Sequence, residues 1–390
     1  MQKRGWAVAP HKLPPEILGR LVKKKDEFLT ISFVEAQKAF KITLNGFESE
    51  KVEYIELAKA ITRALLRYDP DSFLLARAIW KELKETFKLK SEIQYLGAPY
   101  PIIHLPEDTS EIGGRHKDDL EYIKYFYTTW TPLNDCFHQP LSIFENTHKK
   151  NNFFIRQLRI RLPFVNKLIL STKKELKPDI RLGEFFLWPG RTDHQGLLNK
   201  SGKTTVAMIT SFSSSPIMNG PSLTVEEIEK YVAKETNIDT LSFVQKMISA
   251  WKEIRAESWE NIEKTKNLGE LTADVRRQIK KWNFSPEESK RFAFVCVLWA
   301  QRLIVKMDVT VFYFYAFFSA GDNFNALHAC IRYAIDHFKT EEIKVFADSI
   351  LRDFASKQAV FEIKSAIKLS GEKGRNLNIK YPENLALLKP

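Results

Sequence analysis

Phe185-Phe186-Leu187-Trp188-Pro189-Gly190-Arg191-Thr192-Asp193-His194 places a short apolar run, a turn dipeptide and a histidine in consecutive positions. Four large apolar residues closed by Pro-Gly are too few for a buried helix and enough for a buried strand. Similar runs lie on both sides: Tyr100 to Leu105, Tyr122 to Trp130 and Leu141 to Phe144 before it, Thr205 to Phe212 after it. Turn residues such as Gly113-Gly114 and Asn134-Asp135 separate them, and the apolar period is two. The stretch from about Pro99 to Phe212 therefore reads as an all-β core.

Outside that core the texture is helical. Glu16 to Phe28, Val52 to Tyr68 and Ser72 to Phe87 carry apolar residues at three and four spacing, with Asp69-Pro70-Asp71 as a break. After the spacer Ser213 to Pro221 the helical pattern returns and lasts to about Leu369. Thr224 with Glu227, and Ser285-Pro286-Glu287-Glu288, are capping boxes that mark helix starts. The chain thus reads as α+β: an N-terminal layer over 1–98, the β core over 99–215, a helical region over 222–370 and a tail over 371–390. The aromatic stretch Val311 to Phe318 is expected as buried core rather than as a substrate tunnel or dimer face.

Composition narrows the class. The chain has 390 residues, 44% apolar and 28% charged, enough for a large core. Its 15 Gly and 17 Pro exclude a collagenous or low-complexity protein, and 28 Phe with 8 Trp exclude a disordered one. Cys136, Cys296 and Cys330 are odd in number and widely spaced, which gives neither a disulfide framework nor a CxxC metal site and suits a reducing cytoplasm. The start of the chain lacks the apolar core of a signal peptide, and Phe292 to Ala320 is interrupted by Arg302, Lys306 and Asp308, so no membrane partner is expected. The formal charge is +12, most of it before Pro221, and about ten Lys or Arg lie between Lys149 and Arg181. There Leu158, Ile160 and Leu162 alternate with Arg159 and Arg161, so a strand would have one apolar and one cationic face.

Within the β region stands Gly113-Gly114-Arg115-His116-Lys117-Asp118-Asp119. Residues two apart on a strand share a face, so His116 and Asp118 can offer an imidazole nitrogen and a carboxylate oxygen to one ion. His194, just past the Phe185 to Trp188 run, can supply the third ligand. Two His and one carboxylate form the facial triad of non-haem Fe(II) and leave open positions. With eight His and 48 acidic residues, about one His-x-Asp/Glu triplet is expected by chance. On the triplet alone the alternative is a solvated turn in which the two side chains merely hydrogen-bond.

The order of the surrounding segments carries more. His116-Lys117-Asp118-Asp119, Trp130-Thr131-Pro132-Leu133-Asn134-Asp135, Pro140-Leu141-Ser142 with Asn146-Thr147-His148-Lys149, Gly183 to Trp188 leading to His194, and Asn199-Lys200-Ser201-Gly202 before Val206 to Thr210 arrive in sequence. Over roughly His104 to Phe212 this resembles the phytanoyl-CoA dioxygenase family. The opening Gly5-Trp6-Ala7-Val8-Ala9-Pro10 with Leu13-Pro14-Pro15-Glu16 resembles that family's first strand and helix. The resemblance implies a double-stranded β-helix (jelly-roll, cupin-like) core with N-terminal flanking helices, to which this chain adds a C-terminal all-helical region. It also implies Fe(II) held by His116, Asp118 and His194, with 2-oxoglutarate and O2 as cosubstrates and Trp130 lining the cosubstrate pocket. His148 matches a family histidine that is not a ligand. Halogenating relatives have Gly or Ala in place of the carboxylate, so Asp118 implies hydroxylation or a related C–H oxidation.

One departure stands out. Where the family carries an Arg for the far carboxylate of 2-oxoglutarate, this chain has Thr205, which has no charge to offer. Lys203, two residues earlier, and Arg191, three before His194, are the candidates; for Lys203 the alternative is a solvated turn beside Gly202. The segment from Lys149 to Arg181 is either a lid whose Arg159 and Arg161 meet an anionic or carrier-linked small-molecule substrate, or a solvated edge strand protected by its charges. A second reading is hydroxylation of a macromolecule-bound substrate. A third is a degenerate, non-catalytic barrel that binds a ligand or nucleic acid. The basic residues are not interleaved with aromatics as in a nucleic-acid module, so nucleic acid is not expected. A homodimer through the helical region completes the partner expectations.

Overall fold

The period-two runs become antiparallel sheet. The computed structural model describes residues 5–9, 13–40, 48–88, 90–109, 114–118, 123–134, 140–148, 174–216, 222–234, 238–260, 267–303, 306–321, 323–354 and 356–382. The chain forms two units, Met1–Glu27 with Leu66–Glu235 and Phe28–Leu65 with Thr236–Pro390. The stretch 1–98, read from sequence as one layer, is thus shared between them. Among the described residues no helix is long and apolar enough to cross a membrane.

The chain begins with β1 (Ala7–Val8), α1 (Pro15–Phe40), α2 (Glu48–Arg67) and α3 (Pro70–Thr86). Helix α1 continues past Phe28 because its buried row goes on as Phe28, Ser32 and Ala36, one turn apart. The polar Ser32 on that row interrupts the apolar period, although it is buried. The Asp69-Pro70-Asp71 break acts as a cap: the Asp69 carboxylate accepts from the Asp71 N–H at 2.9 Å, and Pro70 takes the first helical position.

The remaining strands are β2 (Tyr95–Gly97), β3 (Tyr100–His104), β4 (Phe126–Pro132), β5 (Leu141–Phe144), β6 (Glu175–Leu176), β7 (Phe186–Pro189), β8 (His194–Gly196), β9 (Thr205–Ser213) and β10 (Ser222–Thr224), followed by α4 (Glu227–Lys234). One sheet runs β1-β7-β4-β9-β2-β10, with β3 also on β9, and the other runs β6-β5-β8. All of these pairings are antiparallel. Strand β9 is long enough to pair with β4 on one side and with β3 and then β2 on the other.

Alternation decides what lies between the sheets. Trp130, Phe186, Trp188 and Ala207 from the larger sheet pack with Leu141 and Ile143 from the smaller one, and all six are at most 3% exposed. Burying each large side chain of this kind contributes about 1.5–3 kcal/mol. Trp6 stacks on Phe186 at 5.6 Å and donates its indole N–H to Glu145, which closes the edge next to β1.

The second unit contains α5 (Thr240–Glu260), α6 (Leu268–Trp282), α7 (Pro286–Ala300), α8 (Lys306–Ala320), α9 (Phe324–His337), α10 (Thr340–Asp353), α11 (Lys357–Leu369) and α12 (Gly371–Arg375). It also includes residues 28–65. Glu53 pairs with Arg255 at 2.6 Å and Glu56 with Arg302 at 3.3 Å, tying the early segment to the late helices. The Ser285 and Glu288 capping box forms as the sequence suggests. Phe312, Phe314, Tyr315 and Phe317 are buried on α8, so that part of the aromatic stretch is core. Cys296 and Cys330 are buried free thiols, whereas Cys136 lies outside the described residues.

Candidate metal centre

His194 begins β8 immediately after the turn that ends β7. Gly190 sits at the corner with its N–H donating to the Phe126 carbonyl at 2.9 Å, and a Cβ there would meet the Phe126 ring at 2.2 Å. Only glycine allows that approach. Thr192 donates to the Gly5 carbonyl, and the Asp193 N–H donates to the Thr147 hydroxyl at 2.8 Å. His148, beside Thr147, packs its ring against Gly5. The His194 ring then rests 5.1 Å from that of Trp188 and is 6% exposed.

His116 reaches the same place without a strand of its own. It forms a single antiparallel bridge with His194, through two backbone hydrogen bonds of 2.9 and 3.0 Å. Alternation still operates around it. Arg115 and Lys117 turn to Asp193, at 3.2 and 3.9 Å, while His116 and Asp118 turn toward His194. The Arg115 guanidinium also lies over the Phe144 ring at 3.4 Å.

Three ligand atoms converge. Asp118 Oδ1 is 3.7 Å from His116 Nε2 and 3.5 Å from His194 Nε2, and one atom from each residue can be chosen within 4.8 Å of the others. Two atoms bound at about 2.1 Å to one ion lie at most about 4.2 Å apart, a condition both carboxylate–imidazole distances meet. His116 Nδ1 is 2.8 Å from the Gly114 carbonyl and His194 Nδ1 is 3.1 Å from the Thr192 carbonyl. A carbonyl only accepts, so each Nδ1 carries its proton and each neutral ring keeps the Nε2 lone pair for a metal. Thr128 on β4 donates to Asp118 Oδ2 at 2.9 Å, leaving Oδ1 for the ion. Burial holds the His194 pKa below its ordinary value, although the Asp118 charge pulls it upward. The donor set, two imidazoles and a carboxylate with no thiolate, fits an octahedral first-row ion with open positions.

Beside the cluster is a cavity of about 420 Å³. Its apolar walls are Ile102, Phe126, Trp130, Leu141, Trp188 and Ile209. Trp130, expected from the resemblance beside a cosubstrate, is one of these lining residues. Lys203, Arg191 and Thr205 are not among the lining residues. Lys203 is exposed in the turn after Gly202, where the Asn199 side chain binds the Lys203 carbonyl at 2.7 Å. Arg159 and Arg161 lie outside the described residues. Two lining residues that the motif reading passed over are Thr128 and His104. The signal for both was alternation, since Thr128 is two before Trp130 and His104 two after Ile102.

No protein-family model and no curated protein matches the sequence. Among solved structures, the chain is similar to SnoK, a non-haem α-ketoglutarate-dependent carbocyclase from nogalamycin biosynthesis, at 14% identity and a TM-score of 0.34 over 61% of this chain and 89% of that one. It is similar to the epimerase SnoN in complex with Fe3+, α-ketoglutarate and nogalamycin RO, at 12% identity and 0.32 over 56% and 83%. It is also similar to the non-haem monooxygenase ThoJ, at 10% and 0.36 over 57% and 81%.

Proposed function

We propose that the chain is a non-haem Fe(II)/2-oxoglutarate-dependent oxygenase whose first unit is a double-stranded β-helix of the phytanoyl-CoA dioxygenase type. The observation that carries this reading is the convergence of His116 Nε2, Asp118 Oδ1 and His194 Nε2 beside a cavity, with both imidazoles held in the ligating tautomer. Iron bound there would supply oxygen activation coupled to oxidative decarboxylation of the 2-oxo acid. The chain's own residues orient and shield. Thr128 fixes the Asp118 carboxylate, Trp188 backs the buried His194 ring, and the apolar walls line the approach to the cluster. Asp118 fills the position that halogenating relatives leave to a halide, which supports hydroxylation or a related C–H oxidation.

A small metabolite is the substrate that a cavity of about 420 Å³ suits, since it has room for the cosubstrate and the reacting part of such a partner. The cationic sequence from Lys149 to Arg181 supports an anionic or carrier-linked one. Anaerobic titration of the Fe(II)-loaded protein with 2-oxoglutarate tests the reading. A visible charge-transfer band, lost in His116→Ala, is the expected result; wild-type protein that binds Fe(II) without any band would sink the cosubstrate assignment.

A further inference from the structure

We propose that His104, assisted by Thr205, holds the far carboxylate of the cosubstrate, in the role for which Lys203 and Arg191 are the sequence candidates. This inference rests on the 2-oxoglutarate reading above. A dicarboxylate that meets the metal through its 2-oxo acid end brings its second carboxylate into the cavity. The walls there are mostly apolar, and a buried carboxylate is tolerated only where it is paired and hydrogen-bonded.

Among the described lining residues other than the ligands, only His104 and Lys117 can carry a positive charge. Lys117 lies between two ligands, and its ammonium is turned to the Thr147 carbonyl at 3.1 Å and to Asp193. His104 is placed differently. It is 2% exposed on β3, with its ring 6.2 Å from that of Trp130. Trp130 shares the inner face of β4 with Thr128, which holds Asp118. The lining face therefore leads from the metal cluster through Trp130 to His104 without a break.

Register adds a second donor. His104 stands directly opposite Thr205 on β9, and Thr205 shares its face with Ile209 and Ser211, both of which line the cavity. The Thr205 hydroxyl is buried with no hydrogen-bond partner among the described residues. An imidazole N–H and a hydroxyl side by side suit the two oxygens of a carboxylate. The Asn199 amide fixes this arrangement by donating to both the His104 and the Lys203 carbonyls, at 2.9 and 2.7 Å, so His104 stays on the strand while Lys203 stays in the turn.

The test compares 2-oxoglutarate with 2-oxopentanoate, which has a methyl group in place of the far carboxylate. Binding of each to the Mn(II)-loaded protein is measured calorimetrically. Wild type should prefer 2-oxoglutarate, and His104→Asn and His104→Phe should each lose about tenfold or more of that preference, with affinities for Mn(II) and 2-oxopentanoate unchanged. His104→Arg should keep it. Folded Asn or Phe variants that retain the full preference would overturn the proposal. Should neither fold, a crystal structure of wild type with Mn(II) and 2-oxoglutarate decides: a carboxylate oxygen within hydrogen-bond distance of the His104 ring supports it, and one bound elsewhere overturns it. Wild type that takes up Mn(II) but neither oxo acid defeats the 2-oxoglutarate reading itself, and His104 falls with it.

Discussion

Thr128 makes no direct claim on the metal, yet its hydroxyl determines which Asp118 oxygen is left for it. Thr128→Val keeps the size and removes the donor, so Fe(II) or Mn(II) affinity should fall about 10–100-fold with little loss of stability, as read by metal titration beside thermal melts. His194 makes a prediction about pH. Burial lowers its folded-state pKa, while the unfolded chain titrates near the ordinary value of about 6.5. As pH falls through that value the unfolded state takes up the proton first, so stability of the metal-free protein should drop between about pH 7 and 5. His194→Gln should flatten that drop in denaturant titrations, and an unchanged slope would refute the assignment. The grouping of His116, Asp118 and His194 was legible in the sequence because two-apart spacing and segment order are local properties. For Thr128 and His104 alternation gave only the face they share with Trp130 and Ile102, since what that face meets depends on which strands β4 and β3 lie beside.

At the scale of elements, the metal cluster depends on two short segments joined by one bridge. Arg115 pins them by reaching Asp193 across the bridge while stacking on Phe144. Arg115→Met should leave the fold intact and weaken metal affinity by about tenfold, because the ligand-bearing segment loses its outer tether while the direct ligands remain. Equal metal affinity in the variant would show that the backbone bridge suffices. The apolar runs translated well: Leu141 to Phe144 is β5 as read, and the Phe185 run is β7 shifted by one residue. His116 was expected on a strand and is held instead by a single bridge, a case in which alternation persists without a ladder. Helix α1 was underestimated for the opposite reason, since its buried row continues through a polar Ser32 and a small Ala36.

The division of the whole chain is the feature least legible in sequence. Composition and helix signals break near Pro221, but residues 28–65 join 236–390 through contacts more than 200 positions apart, for which a linear pattern holds no trace. One of those contacts, Glu56 with Arg302, adjoins a buried charge. Lys59 is fully buried and pairs with Glu56 at 3.0 Å, and Glu56 also meets Arg302. Removing the carboxylate takes counter-charge from a lysine that water cannot reach, so Glu56→Ala should cost about 3 kcal/mol in urea unfolding. Replacing both partners is a different experiment. Glu56→Leu combined with Lys59→Met leaves no stranded ammonium, and the double variant should recover most of the loss because an apolar pair of similar volume packs at little cost. A double variant as unstable as Glu56→Ala would mean that the stability comes from Arg302 reaching Glu56, and not from relief of the buried lysine.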